Sequence, residues 1–280
     1  MSNSMQDAPR RRPPRRRKAW QRVLFHWRLP LIIVLILMVL TGVLVHTIFS
    51  RPAASAETTQ PDQPAAAQPD YPSAVVDALE AKQTEIHELV CLTQDDGRVT
   101  YDAENDRVQL VFWVENAEGY DKGSKVTLEA DQYAYADLEL AAWGEANKDA
   151  LRTDKAERLK ELFGLPKESK GAAFVLATVT PERVLRPAYQ PDAQLNQMSL
   201  EFEETVDQEF RNWFDQEITQ NYLTTPRPWT RLGYTYDWGA SGDDHYGVTE
   251  FVIPSGTKVT VQQTFTNDEM ITRLRKGKLE

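Results

Sequence analysis

The chain carries a single cysteine, Cys91, among 280 residues. That excludes an internal disulfide framework and any zinc-ribbon or iron–sulfur pattern built from cysteine pairs. Histidine is also scarce: of four in the chain, only His87 and His245 lie beyond residue 51. No Gly-x-Ser-x-Gly nucleophile elbow occurs. Seven asparagines follow residue 51, and none has Ser or Thr two positions on, so there is no N-glycosylation acceptor there. No internal repeat is visible. The longest absence is of charge: Leu29 to Ser50 holds no Asp, Glu, Lys or Arg in 22 residues.

At about 1.5 Å per helical residue that run spans roughly 33 Å, enough to cross a hydrocarbon core of about 30 Å. It predicts a transmembrane helix, with Pro30 in the first turn, where a missing N–H costs little. Trp20 and Trp27 flank it as interfacial aromatics do. Charge sets the orientation. Residues 1–51 hold ten Lys/Arg and one acid, Asp7; the rest holds 22 basic and 41 acidic residues. Basic residues stay in the cytoplasm, so the amino terminus is expected inside and the remainder outside. The cluster Arg10 to Lys18 reads as a topology signal that can also touch anionic lipid. The apolar run is too long for a cleaved signal, although Ala54-Ser55-Ala56 offers a small-residue cleavage site. An acidic outer part argues against nucleic acid as a partner. The lone cysteine and missing glycosylation sites favour a bacterial inner membrane facing the periplasm or exterior.

The expected organisation is a basic tail (1–28), a transmembrane helix (29–50), a Pro/Ala/Gln-rich linker (51–71) and one outer domain (72–280). Ser73 is placed as the cap of a helix to about Leu92. GRVTY, RVQLVFWVE, KVTLE and AAFVLATVT read as strands, the second apolar on both faces and so central. Helices are expected from Asp131 to Trp143 (stopped by Gly144), from Thr153 to Phe163, over Glu204 to Tyr222, and from Thr266. GVTEFVI and TKVTVQQTF, joined at Pro254-Ser255-Gly256, read as a β-hairpin. The class is therefore α+β with hairpins.

Candidate chemistry is sparse. His87-Glu88-Leu89-Val90-Cys91 nearly matches the zinc helix His-Glu-x-x-His, with Cys91 at the second ligand position. A surface histidine and a buried thiol are the plainer reading. The acids Glu201, Glu203, Glu204, Asp207 and Glu209 suit a helix start better than a glycosidase pair. Asp243-Asp244-His245 is the only acid–histidine cluster in a polar loop, fit for a hard cation, for proton transfer or simply for a solvated turn. The most distinctive feature is aromatic: Tyr222, Trp229, Tyr234, Tyr236, Trp238 and Tyr246 fall within 25 residues, with Arg227 and Arg231 between them. Such a stretch is either one buried face of a strand or a displayed surface for sugars or proline-rich peptide. A split is expected, with at least one of Trp229, Tyr234, Tyr236 and Trp238 displayed beside Arg231. The candidate binding set is Trp229, Arg231, Tyr234, Tyr236, Trp238, Asp243, Asp244 and His245. No catalytic residue, metal ligand or cofactor is assigned. The expected role is binding or envelope assembly, through an envelope protein or polymer partner and a lipid bilayer contacted by residues 29–50. The alternative is an anchored hydrolase acting on a cell-envelope polymer.

Overall fold

A computed structural model describes residues 70–153, 155–240 and 244–279. The basic tail, the uncharged run and nearly all of the linker lie outside them. Among the described residues no helix is long and apolar enough to cross a membrane.

The domain is α+β. Its centre is an antiparallel sheet of eight strands: β1 (Tyr101–Asp102), β2 (Arg107–Val114), β3 (Lys125–Thr127), β4 (Gln132–Ala136), β5 (Ala173–Val179), β6 (Tyr234–Tyr236), β7 (Tyr246–Ile253) and β8 (Lys258–Thr266). Their order is β3-β8-β5-β2-β4-β7-β6, with β1 paired to β2. The helices are α1 (Tyr71–Asp77), α2 (Asp137–Ala146), α3 (Ala150–Thr153), α4 (Lys155–Leu162), α5 (Gln208–Thr219) and α6 (Asn267–Leu274).

β2 is central, as its two apolar faces predict. Val108, Leu110 and Phe112 join one core with Val175, Ala177, Phe251 and Val261. Val111 points the other way, into a second core with Phe174, Leu176 and Phe265. Leu140 of α2, Leu159 and Leu162 of α4, and Met270, Ile271 and Leu274 of α6 cover that second face. Each strand residue thus serves one of two cores by the period-2 rule. A capping box, Thr266 with Glu269, fixes the start of α6.

Four expectations are corrected. The helix over 73–92 is short: α1 is capped by Asp70, not Ser73, and ends at Asp77. A single 3₁₀ turn follows at Gln83–Glu85, and the chain then runs extended. Its backbone bonds go sideways instead, Leu89 N–H to Asn196 O and Leu92 N–H to Ala193 O, which buries Leu89, Val90 and Leu92 without a helix. The helix placed from Asp131 begins only at Asp137, because 132–136 pairs as β4 with β2 and β7. Gly144 does not stop it. A Cβ there would come within 2.6 Å of Leu274, so the glycine lets α6 pack close against α2. The expected β7–β8 hairpin does not form. β7 pairs with β4 and β6, while β8 pairs with β5 and β3. At the corner Ser255 N–H is held by Asp131 Oδ1 and Gly256 N–H by Leu128 O, with Gly256 at φ 79°. These bonds direct the chain across to the far side of the sheet. Finally, α5 starts at Gln208 with Asp207 as its cap, so Glu201, Glu203 and Glu204 precede the helix.

Candidate functional site

The aromatic segment lies in and beside β6, and the expectation of a displayed ring is corrected: Trp229, Tyr234, Tyr236 and Trp238 are 3%, 1%, 5% and 5% exposed. Each has its own anchor. Trp229 packs on Phe214 of α5 at 4.9 Å between ring centres. The Trp238 indole N–H donates to Leu165 O at 3.1 Å, and its ring meets Tyr71 edge-on. The Tyr236 hydroxyl donates to Asp77 Oδ2 at 3.0 Å. Tyr234 lies against His87, with ring centres 4.6 Å apart. The alternation that could have marked a display surface lies in an edge strand all three of whose residues are buried.

A sharp reversal precedes β6. Arg231 (φ 59°) and Gly233 (φ 82°) both take left-handed backbone, and a Cβ at 233 would strike Arg186 and Leu89. The reversal turns Arg231 back toward α1, where its guanidinium donates to Leu79 O at 2.7 Å and to Tyr189 Oη at 3.2 Å. It also lies over the Tyr222 ring, 5.4 Å from its centre.

Of the remaining candidates, Asp243 lies outside the described residues and Asp244 is exposed. His245 is half-buried between two tyrosines: its ring stacks on Tyr236 at 4.5 Å and 10°, and on Tyr246 at 4.8 Å and 25°. His87 also touches Tyr246, at 4.7 Å. Both histidines of the domain therefore share one tyrosine cluster, although 158 positions separate them in sequence. Burial and the nearby His245 hold His87 below the usual imidazole range, against a contact of its Nδ1 with Glu85 O.

Two carboxylates complete the site. The ligand atoms of Asp77, at the end of α1, Glu85, in the 3₁₀ turn, and His245 lie within 4.8 Å of one another. Lys82 bridges the acids, 2.9 Å from Glu85 Oε1 and 3.0 Å from Asp77 Oδ1. Those bonds hold the Lys82 ammonium protonated well above its ordinary range. Burial opposes ionisation of Asp77, yet hydrogen bonds from Lys82 and Tyr236 hold its carboxyl below the usual range. The Tyr234 hydroxyl is buried without a hydrogen-bond partner among the described residues. Burial, then the charges of Glu85, Tyr246, Tyr236 and Asp77, push its ionisation upward.

Asp77, Lys82 and Glu85 carry no sequence signal, because nothing in their spacing announces convergence with residue 245. His87 has a signal attached to the wrong partner. Without a helix there, His87 and Cys91 are not one turn apart on a common face. Cys91 instead belongs to a separate turn, its N–H bonded to Asp96 Oδ2 at 2.7 Å.

A second polar centre supports this end of the domain from below. Arg227 lies 4.1 Å over the Tyr133 ring and bonds Asn221 through Nε, while Glu217 accepts from Tyr133 and Asn221. Arg158 and Asp237 form a two-pronged pair at 2.7 and 2.6 Å.

Comparison of the chain with protein-family models, with curated proteins and with solved structures finds no match.

Proposed function

We propose that this chain is a single-pass, membrane-anchored binding or envelope-assembly protein. Its uncharged run at 29–50 is the anchor, its basic tail is cytoplasmic, and its α+β domain faces the periplasm or cell exterior. The 22-residue uncharged run and the basic excess before it support that placement. The observation that carries the binding reading is the exposure of large apolar side chains on and just after α1 and in the turn tied to its end. Val76, Leu79 and Leu223 are 67%, 49% and 77% exposed. Arg231 and the Tyr222 hydroxyl tie the π-helical turn Gln220–Thr224 to the end of α1, which keeps Leu79 and Leu223 in one region. Exposed apolar area suits a protein partner, and an arginine beside it supplies a common interface anchor.

The test is capture of partners from solubilised membranes with full-length bait. Leu223→Asp should lose a specific partner while melting like the parent. Leu138→Asp, at an exposed leucine on α2, should retain it. Equal capture by both variants would remove the support for this face.

One observation favours the second reading, an anchored hydrolase of an envelope polymer: the approach of Asp77, Glu85 and His245 to one another. Such a group can move protons or activate water. Release of soluble fragments from purified cell-wall polymer, lost in Glu85→Gln, is its test.

A further inference from the structure

We propose that Asp77, Glu85 and His245 form a binding site for one divalent first-row transition-metal ion, with Lys82 as its built-in competitor. The site stands independently of either reading of the domain's role. Two carboxylate oxygens and one imidazole nitrogen are a donor set that Mn²⁺, Fe²⁺ and Zn²⁺ accept. Three protein ligands leave positions for water or a ligand, the arrangement of open rather than purely structural sites. The ligand atoms come from three separate stretches of chain yet lie within 4.8 Å of one another.

The surroundings orient these groups as outer-shell partners orient metal ligands. The Tyr236 hydroxyl occupies Asp77 Oδ2, which leaves Oδ1 toward Lys82 and Glu85. His245 is clamped between the Tyr236 and Tyr246 rings, so its plane is set before any ligand arrives. Lys82 donates to one oxygen of each carboxylate and supplies the positive charge that an ion would bring. A plain surface salt bridge accounts for Lys82, Asp77 and Glu85. It does not account for the Tyr234 hydroxyl, which is buried and unpartnered among the described residues, on a ring whose centre is 6.4 Å from that of His245. A water on a bound ion would donate a hydrogen bond to that hydroxyl oxygen. Buried polar groups are normally satisfied, and each exception calls for such a partner.

The experiment is calorimetric titration of the full-length chain in detergent, stripped with chelator, using ZnCl₂ and MnCl₂ as probes. One ion per chain is expected for at least one probe. Asp77→Asn and His245→Gln should each weaken binding at least about tenfold, the scale seen when metal-site partners are removed. Lys82→Met should tighten binding, because it deletes the competing cation and leaves both carboxylates. That gain cannot come from misfolding, so it separates a lost site from a lost fold. Cys91→Ser should leave affinity unchanged. The proposal is overturned by absence of binding to the parent chain with both probes. It is equally overturned by binding that survives both Asp77→Asn and His245→Gln, or by weaker binding in Lys82→Met.

Discussion

The middle of the sheet and its β6 end are held by different means. Around β2 and β5, in the middle, Leu110, Phe112 and Val175 form an apolar core on one side and Val111, Phe174 and Leu176 on the other. Around β6 and the inner part of β7 polar groups are buried among the rings: Asp237, Glu250, Thr235, Thr249 and Arg186. The middle gains stability from area removed from water, which is indifferent to pH and tolerant in detail. The β6 end gains geometry, because each buried charge must meet its partner or leave a penalty behind. A precise polar end supporting a surface cluster of Asp77, Glu85, Lys82 and His245 is the arrangement expected where a site needs preorganisation.

The largest test of this difference is the Arg158–Asp237 pair, both side chains being nearly enclosed. Asp237→Ala should cost about 3 kcal/mol in urea unfolding, since it leaves the nearly enclosed Arg158 guanidinium with only Glu161, 3.8 Å away, as an acid partner. The double replacement Arg158→Met with Asp237→Leu should recover most of that loss. If it recovers none, the polar end is held by more than pairing. Phe112→Ala in the middle of the sheet should cost about 3–5 kcal/mol, but no second substitution of a polar partner should rescue it. Trp229→Ala belongs with Phe112→Ala, because its ring is packed on Phe214. A melting temperature unchanged by Trp229→Ala would mean that the ring is displayed after all.

The pH response sharpens the contrast. Burial lifts Glu139 to about 7, against hydrogen bonds from Thr249, and lifts Glu250 to about 7, against the charge of Arg227. In the unfolded chain both titrate near the ordinary glutamate value of about 4.3. The folded state therefore binds these protons more tightly. Their contribution is full below the unfolded value and is lost as pH rises through about 7. Melting temperature should fall between about pH 5 and pH 8, and Glu250→Gln should flatten the slope. A rising curve over that window would contradict the assignment. The smallest expected effect is Cys91→Ala, about 1 kcal/mol or less, because the thiol is only partly buried and its N–H bond to Asp96 is a backbone one.

The apolar middle of the sheet was legible in the sequence and the polar end was not. RVQLVFWVE announces a central strand because both of its faces are apolar, and that property is local. Residues 86–92 show helical spacing as well, yet they form no helix, since the Leu89 and Leu92 N–H groups bond to Asn196 and Ala193, a hundred positions away. The same non-locality hid the crossover after Ile253, where Asp131 and Leu128 hold the corner. The site fared similarly. His245 stood out as a histidine in an acidic loop. Asp77, Lys82 and Glu85 did not, because only folding brings them to it. The aromatic stretch was rightly singled out as unusual; its rings form a floor, and the groups they support are the accessible ones.

The partner surface proposed above joins the end of α1, the turn at Leu223 and Arg231. A photo-crosslinking residue placed at Leu223 in the full-length chain, in native membranes, tests it most directly against the same residue placed at Leu138. A discrete crosslinked product is expected from position 223 and none from position 138. Equal products from both positions, or a product from 138 alone, would contradict it.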